Sequence, residues 1–255
     1  MASICGANMG DFVADGLGLS ALRGLPMLAL VFAAAAVIGQ RSKWRSEGPY
    51  WLAILTVRTA ATNLADLLVS RAGLGYAACA AGLTVLLAAI LLGRHGVQQT
   101  PSSGGLQDVD GSYWLAMLTA GTLGTVLGDG IGHVVPPMTI GYPIAGLVTS
   151  LAVALLLGSR SRTGLTSATG YWTAIVLIRT WGTNIGDIAA YLLSLPVSLL
   201  LSGLLLTGLL VIWRGPPEPG LPACSATALM AGRVASSKNA PETPRVVAAK
   251  YSLVL

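Results

Sequence analysis

Three aspartates stand inside long apolar stretches, each 16 positions after a Tyr-Trp pair: Asp66 after Tyr50-Trp51, Asp129 after Tyr113-Trp114, and Asp187 after Tyr171-Trp172. Arginine stands eight positions before two of them, Arg58 and Arg179, and threonine four positions before all three, Thr62, Thr125 and Thr183. Asn63 and Asn184 add amides three positions before Asp66 and Asp187. A fourth aspartate, Asp11, ends "GANMGD", which matches "GTNIGD" at 182–187. Carboxylates in apolar surroundings bind a cation, a proton or a polar solute. Guanidinium groups beside them supply counter-charge, and hydroxyls and amides supply neutral ligands. An ionisable residue at bilayer depth costs several kcal/mol unless it is paired, hydrated or neutralised, and by default it marks a substrate or ion path.

The elements that must hold these residues are helices. The chain is 255 residues long, 54% hydrophobic and 10% charged, with a mean hydropathy of +0.72. Soluble domains carry about 25% charged residues. Apolar runs such as 113–133, 142–157 and 196–213 approach the roughly 20 residues that cross a hydrocarbon core of about 30 Å. Alternating strands of about ten residues, the mark of a membrane barrel, do not occur. The expected class is an all-α polytopic membrane protein whose main partner is the lipid bilayer.

Three gapless copies, "YWLAILTVRTAATNLAD", "YWLAMLTAGTLGTVLGD" and "YWTAIVLIRTWGTNIGD", recur at intervals of 63 and 58 residues, and a shortened copy opens the chain. Each motif helix precedes a plainer apolar helix, at 26–38, 76–92, 142–157 and 196–212. The expected organisation is four tandem parallel two-helix repeats: a truncated first repeat over 1–41, then 48–94, 111–160 and 170–214. That gives about eight transmembrane helices, the first shortened. A Pro/Ala/Ser-rich tail over 215–255 is expected to be disordered. Eleven of the 15 basic residues fall between repeats or in the tail. The positive-inside bias therefore places those loops and the C-terminus in the cytoplasm.

At about 100° per residue, Arg179, Thr180, Thr183, Asn184 and Asp187 share one arc of a helix, and Thr59, Thr62, Asn63 and Asp66 repeat it behind Arg58. In the third copy Gly121 and Val126 replace the arginine and the asparagine. Small residues four apart precede each Asp: Gly6/Gly10, Ala61/Ala65, Gly124/Gly128 and Gly182/Gly186. Such pairs let helix backbones approach closely in lipid. Four motif helices are thus expected around a common centre with the plainer helices outside. Trp51, Trp114 and Trp172 are expected at the membrane interface.

The tandem motifs "YWTAIVLIRTWGTNIGD" and "YWLAMLTAGTLGTVLGD" resemble an uncharacterised bacterial family of membrane-anchored proteins, built of four two-helix repeats of unknown function. The resemblance spans about 1–214. It implies the architecture and a bacterial inner-membrane location, and it implies little about activity.

Several classes are set aside. The basic residues form no aromatic-interleaved cluster, so nucleic acid is not expected. Cys5, Cys79 and Cys224 form no CxxC, and His133 has no companion ligand, so neither a metal nor a cofactor is expected. "VLGDG" at 126–130 lacks the first glycine and the companion elements of an intramembrane aspartyl protease, and no enzyme activity is expected. Two readings remain. In the first, the protein is a transporter or channel-like protein for a cation, proton or small polar solute, with Asp11, Asp66, Asp129 and Asp187 beside Arg58, Arg179, Thr62, Asn63, Thr125, Thr183 and Asn184. In the second, the same residues form a structural network, with Asp–Arg pairs holding the bundle together.

Overall fold

The structure is a computed structural model describing residues 1–41, 48–97, 110–159 and 168–213. Within these residues there are eight α-helices and no strand: α1 Ala2–Asp11, α2 Ala21–Arg41, α3 Gly48–Asp66, α4 Tyr76–Val97, α5 Gly111–Val134, α6 Met138–Ser159, α7 Ala168–Leu193 and α8 Leu195–Trp213. The expected tail over 215–255, Cys224 and the basic residues Lys43, Arg45, Arg160, Arg162 and Arg214 lie outside the described residues.

Among the described residues, five segments are long and apolar enough to cross a membrane: Gly48–Arg71, Tyr76–Arg94, Gly111–Val134, Met138–Gly158 and Leu195–Ile212. The apolar part of α2, Leu22–Ile38, is shorter. Helix α7 is 26 residues long, but Arg179, Asn184 and Asp187 dilute its apolar character.

The four helices that carry the motifs, α1, α3, α5 and α7, form an inner ring. Here α1 packs on α3 and α7, and α5 packs on the same two, so α3 and α7 face each other across the centre. The other four lie outside. Each packs mainly against the inner helix that comes next along the chain: α2 on α3, α4 on α5, α6 on α7, and α8 back on α1, with α6 and α8 also touching α5 and α7. The outer helices expose Leu and Val rows, including Leu30, Val85, Leu147, Leu155, Leu200, Leu204 and Ile212. Exposed apolar rows on a polar-centred bundle invert the pattern of a water-soluble fold.

The inner helices meet through their small residues. A Cβ placed on Gly6 would lie 2.6 Å from Arg58 Cβ, and one on Gly10 would lie 2.5 Å from Thr62 Cβ. Gly124 meets Arg179 Cβ at 2.6 Å, and Gly128 meets Thr183 Cβ at 3.1 Å. Gly182 meets Ser3, and Gly186 meets Asn8 Oδ1 at 2.9 Å. In each interface both partners advance together, so the inner helices run parallel. At the α3–α5 contact the small residue is on the other side: Ala61 keeps its methyl, and the facing position is Gly121, 3.0 Å from Ala61 Cβ. Gly121 therefore stands where the second and fourth copies place an arginine. Ala65 is buried on the same face of α3.

Three of the turns that lead outward share one position. Gly18, Gly73 and Ser194 have φ of 62°, 68° and 75°, and each lies seven residues after its aspartate. The left-handed region suits glycine and strains a serine. In α1 and α3 a single π-helical turn, Phe12–Gly16 and Leu67–Arg71, follows the Asp before this point.

Two of the three tryptophans depart from expectation. Trp51 and Trp172 are 6% and 2% exposed, so they belong to the core rather than to a lipid interface. The Tyr-Trp pairs stack in a chain of ring contacts, Tyr50–Trp114, Tyr113–Trp114, Tyr113–Trp172 and Tyr171–Trp172, with centroids 5.3–6.2 Å apart. This aromatic layer closes the N-terminal end of the inner ring.

Candidate functional site

The helices place the singled-out residues in three layers. The aromatic layer is uppermost. Two turns further along come the arginines, and roughly 12 Å beyond those, at 1.5 Å per residue, the aspartates.

Arg179 is fully buried at the centre of the middle layer. Its Nη1 donates to the Ser3 carbonyl on α1 at 2.9 Å, and its Nη2 donates to the Arg58 carbonyl on α3 at 3.1 Å. Nη2 also donates to Thr62 Oγ1 on α3, and Nε donates to Thr125 Oγ1 on α5 at 3.2 Å. One guanidinium thus ties α7 to all three other inner helices, using the several fixed donors of its planar fork. The short side chains that face it, Gly124 and Gly6 among them, leave the room it fills: Arg179 Nη1 lies 3.5 Å from the Cβ position of Gly6.

Arg58, 2% exposed, donates through Nη1 to Ser3 Oγ at 2.5 Å. Its Nε and Nη2 have no partner. The expected Asp–Arg pairs do not form: among the described residues, neither Arg58 nor Arg179 makes an ion pair with a carboxylate. The observed pair, Arg94 with Asp110 at 2.5 Å, joins the end of α4 to the start of α5. The reason is register. Arginine and aspartate on one helix stand two turns apart, and the parallel packing sets each arginine against Thr and Ser of its neighbours rather than against their acids.

The aspartates lie half-buried in the third layer. Asp11 is within electrostatic reach of Asp66, Asp187, Asp15 and Arg179, and Asp129 of the other three acids and Arg179. They gather at the C-terminal end of the ring without hydrogen-bond partners among the described residues. Tyr76 and Tyr142 stand beside them, Tyr76 against Gly130 and Tyr142 against Gly132. His133 donates through Nδ1 to the Asp129 carbonyl at 2.7 Å and stacks near Tyr76, with centroids 5.3 Å apart. Among the described residues no three His, Cys, Asp or Glu side chains converge to hold a metal ion.

The neutral residues divide. Thr62 and Thr125 accept from Arg179. The hydroxyls of Thr59 and Thr180 donate to their own helix, to the Leu55 and Val176 carbonyls at 2.9 and 3.0 Å. Thr183 Oγ1 and both polar atoms of Asn63 and of Asn184 are buried without a partner. Asn8, which aligns with them, donates to Ser198 Oγ on α8 at 2.6 Å. Two participants went unread in the sequence. Ser3 stands eight before Asp11, where two of the other copies carry arginine, so extending the first copy upstream would have found it. The hydroxyl contact between Tyr113 and Tyr171 at 3.0 Å had no signal beyond the repeat itself.

At the mouth of the ring, Asp110 caps α5 by accepting from the Tyr113 amide at 2.7 Å. Partial burial works to raise its pKa, but the Tyr113 amide, the Ser112 hydroxyl and the Arg94 guanidinium outweigh it and hold the carboxyl below its ordinary value.

A helix carrying Arg58 and Asp66, a turn, and a plainer helix make up the described residues from 49 to 97. Residues 49–100 match the family model described as a Repeat of Unknown Function, DUF347. The DUF347 match covers nearly all of α3 and the whole of α4 with the turn between them, one inner and one outer helix of the ring. No curated protein and no solved structure matches the chain.

Proposed function

We propose that the protein is a polytopic membrane protein of four DUF347-like repeats, a transporter or channel-like protein whose acid layer takes up a proton, a cation or a small polar solute. The observation that carries this reading is the set of four aspartates gathered at one end of the ring, unpaired, below a layer that Arg179 closes. Such acids in an apolar bundle require protonation, water or a positively charged guest. The aromatic layer seals the opposite end. The arrangement corresponds to a site accessible from one side and shut at Arg179. Exposed Leu and Val rows on α2, α4, α6 and α8 support burial of the outer surface in lipid, and the basic residues between repeats support a cytoplasmic C-terminus in a bacterial inner membrane. Because no three acids converge to hold a metal ion among the described residues, a guest retaining its water or its own hydrogen-bonding groups fits better than a bare divalent ion.

The test is flux. In proteoliposomes held at a proton gradient, or in cells scored for uptake and efflux, Asp187→Asn and Asp66→Asn are expected to abolish movement of the guest while the protein stays folded. Unchanged flux in both variants rules the reading out. A second reading, a structural or accessory membrane protein, is favoured by Arg179 itself, whose bonds to all three other inner helices stabilise the bundle without needing a solute. It predicts that the same aspartate substitutions alter thermal stability alone.

A further inference from the structure

The upper half of the ring has an excess of donors. Arg58 Nε and Nη2, Trp51 Nε1 and Trp172 Nε1 are all buried and all lack a partner among the described residues. Each is a donor only. Trp51 stands seven residues before Arg58, two helical turns, so both side chains lie on one face of α3, and Trp172 has the same relation to Arg179 on α7. Lower in the ring the unpartnered atoms are of both kinds, as the amides of Asn63 and Asn184 show. Water satisfies a mixed set. A donor-only set asks for an acceptor.

Charge points the same way. The titratable groups that act most on Arg58 are the hydroxyls of Tyr113, Tyr171 and Tyr50, and no carboxylate is among them. Arg179, in contrast, is acted on by Asp11, Asp129 and Asp187 as well as by Arg58. Arg179 has already committed Nε, Nη1 and Nη2 to protein oxygens. Arg58 is therefore the buried cation with donors to give and no acid to neutralise it. A buried, uncompensated charge of this kind is expensive.

We propose that Arg58, with the buried Trp51 two turns earlier on the same face of α3, holds a small monovalent anion of halide type between the arginine layer and the aromatic layer. Arg58 is the guanidinium with donors left to give, and one negative charge offsets its own. The three tyrosine hydroxyls around it add polar surface without charge. The site is separate from the aspartates, which lie on the far side of Arg179, and it stands whether or not those acids carry a guest.

The experiment uses the full chain in nanodiscs of uncharged lipid, with chloride, bromide and gluconate compared at fixed ionic strength. Anion binding to the folded state raises Tm in a saturable way. Chloride and bromide are expected to raise Tm over gluconate. Arg58→Met is expected to remove that shift, and Asp66→Asn and Asp187→Asn to leave it. Bromide, a heavy-atom quencher, is expected to lower tryptophan emission saturably, and less so in Trp51→Phe. No difference between chloride and gluconate overturns the proposal, as does a full shift in Arg58→Met. Should Arg58→Met fail to fold, bromide anomalous density in the wild-type protein decides. A peak within hydrogen-bonding distance of Arg58 supports the site, and peaks confined to the surface overturn it.

Discussion

The Arg179 guanidinium on α7 donates to the Thr62 hydroxyl on α3, the helix opposite it in the inner ring. The bond crosses the centre of the bundle, so the axis is filled by a side chain at this level. Whatever reaches the aspartates from the C-terminal end stops here unless Arg179 moves.

Removing that side chain should open the ring and weaken it together. Arg179→Met leaves the Ser3 and Arg58 carbonyls and the Thr62 and Thr125 hydroxyls without their shared donor. Hydrogen bonds to a charged group contribute about 1.5–3 kcal/mol each, so a loss of at least about 3 kcal/mol is expected. Arg179→Lys keeps the charge but not the planar fork, and it is expected to recover less than half of the loss. Unfolding in detergent measures both. If Arg179→Met unfolds at the wild-type midpoint, the guanidinium does not tie the helices together.

The close approach of the inner helices predicts which glycines tolerate a methyl group. Gly124→Ala forces a Cβ to 2.6 Å from Arg179 Cβ and 2.9 Å from the Val176 carbonyl oxygen, backbone that cannot swing aside. Overpacking of this kind costs typically about 1–3 kcal/mol. Gly82 on α4 has nothing within 4 Å of its Cβ position, and Gly82→Ala should be neutral or stabilising by up to about 1 kcal/mol. Gly121→Ala should be destabilising, and Ala61→Gly in the same chain should offset part of that loss, because the two residues share one contact. A double-mutant cycle with no coupling between 61 and 121 would contradict the register described above.

The turn after α7 gives a prediction of opposite sign. Ser194 occupies the left-handed region at φ 75°, seven residues after Asp187, where the two N-terminal turns have Gly18 and Gly73. A non-glycine residue there carries a penalty of about 1–2 kcal/mol. Ser194→Gly should raise the unfolding free energy by roughly 1 kcal/mol, less the entropy that glycine adds to the unfolded chain. A lower midpoint would mean that the serine side chain contributes more than the strain removes.

Much of this arrangement was legible in the sequence, and the reason lies in what repetition encodes. The spacing of Tyr-Trp, Arg, the small residues and Asp fixes which positions lie on one face, so the facing of Gly124 and Gly128 toward a neighbouring helix could be read from residue type alone. Spacing does not give the rotation of each helix about its axis or the stagger between neighbours. Trp51 and Trp172 therefore read as interface anchors, and only packing placed them inside. The same stagger decides that Arg179 meets Thr62 and Thr125 and not an aspartate. Nor does the local sequence show that α2 packs on α3 rather than beside α1, since an amphipathic stripe does not name its partner. The pairing of Ala61 with Gly121 was hidden because the sequence showed only that an arginine was missing.

Asp110 supplies a pH-dependent prediction outside the apolar segments. Its carboxylate accepts from the Tyr113 amide and pairs with Arg94, which ties α4 to α5. Because its folded-state pKa lies below the unfolded value, its contribution is present above the ordinary carboxylate pKa near about 4 and fades as pH falls through the lower folded value. The side chain is 56% exposed, so the ion pair itself is screened and contributes little, and the cap dominates. Asp110→Ala should lower stability by about 1 kcal/mol at neutral pH, the usual effect of losing an N-cap. Asp110→Asn keeps an acceptor for the Tyr113 amide and should lose less. The gap between wild type and Asp110→Ala should narrow as pH is lowered below about 4 and should change little between pH 6 and 8. A gap that stays constant down to the lowest pH at which the protein remains folded would mean that the charged carboxylate has no part in holding the start of α5.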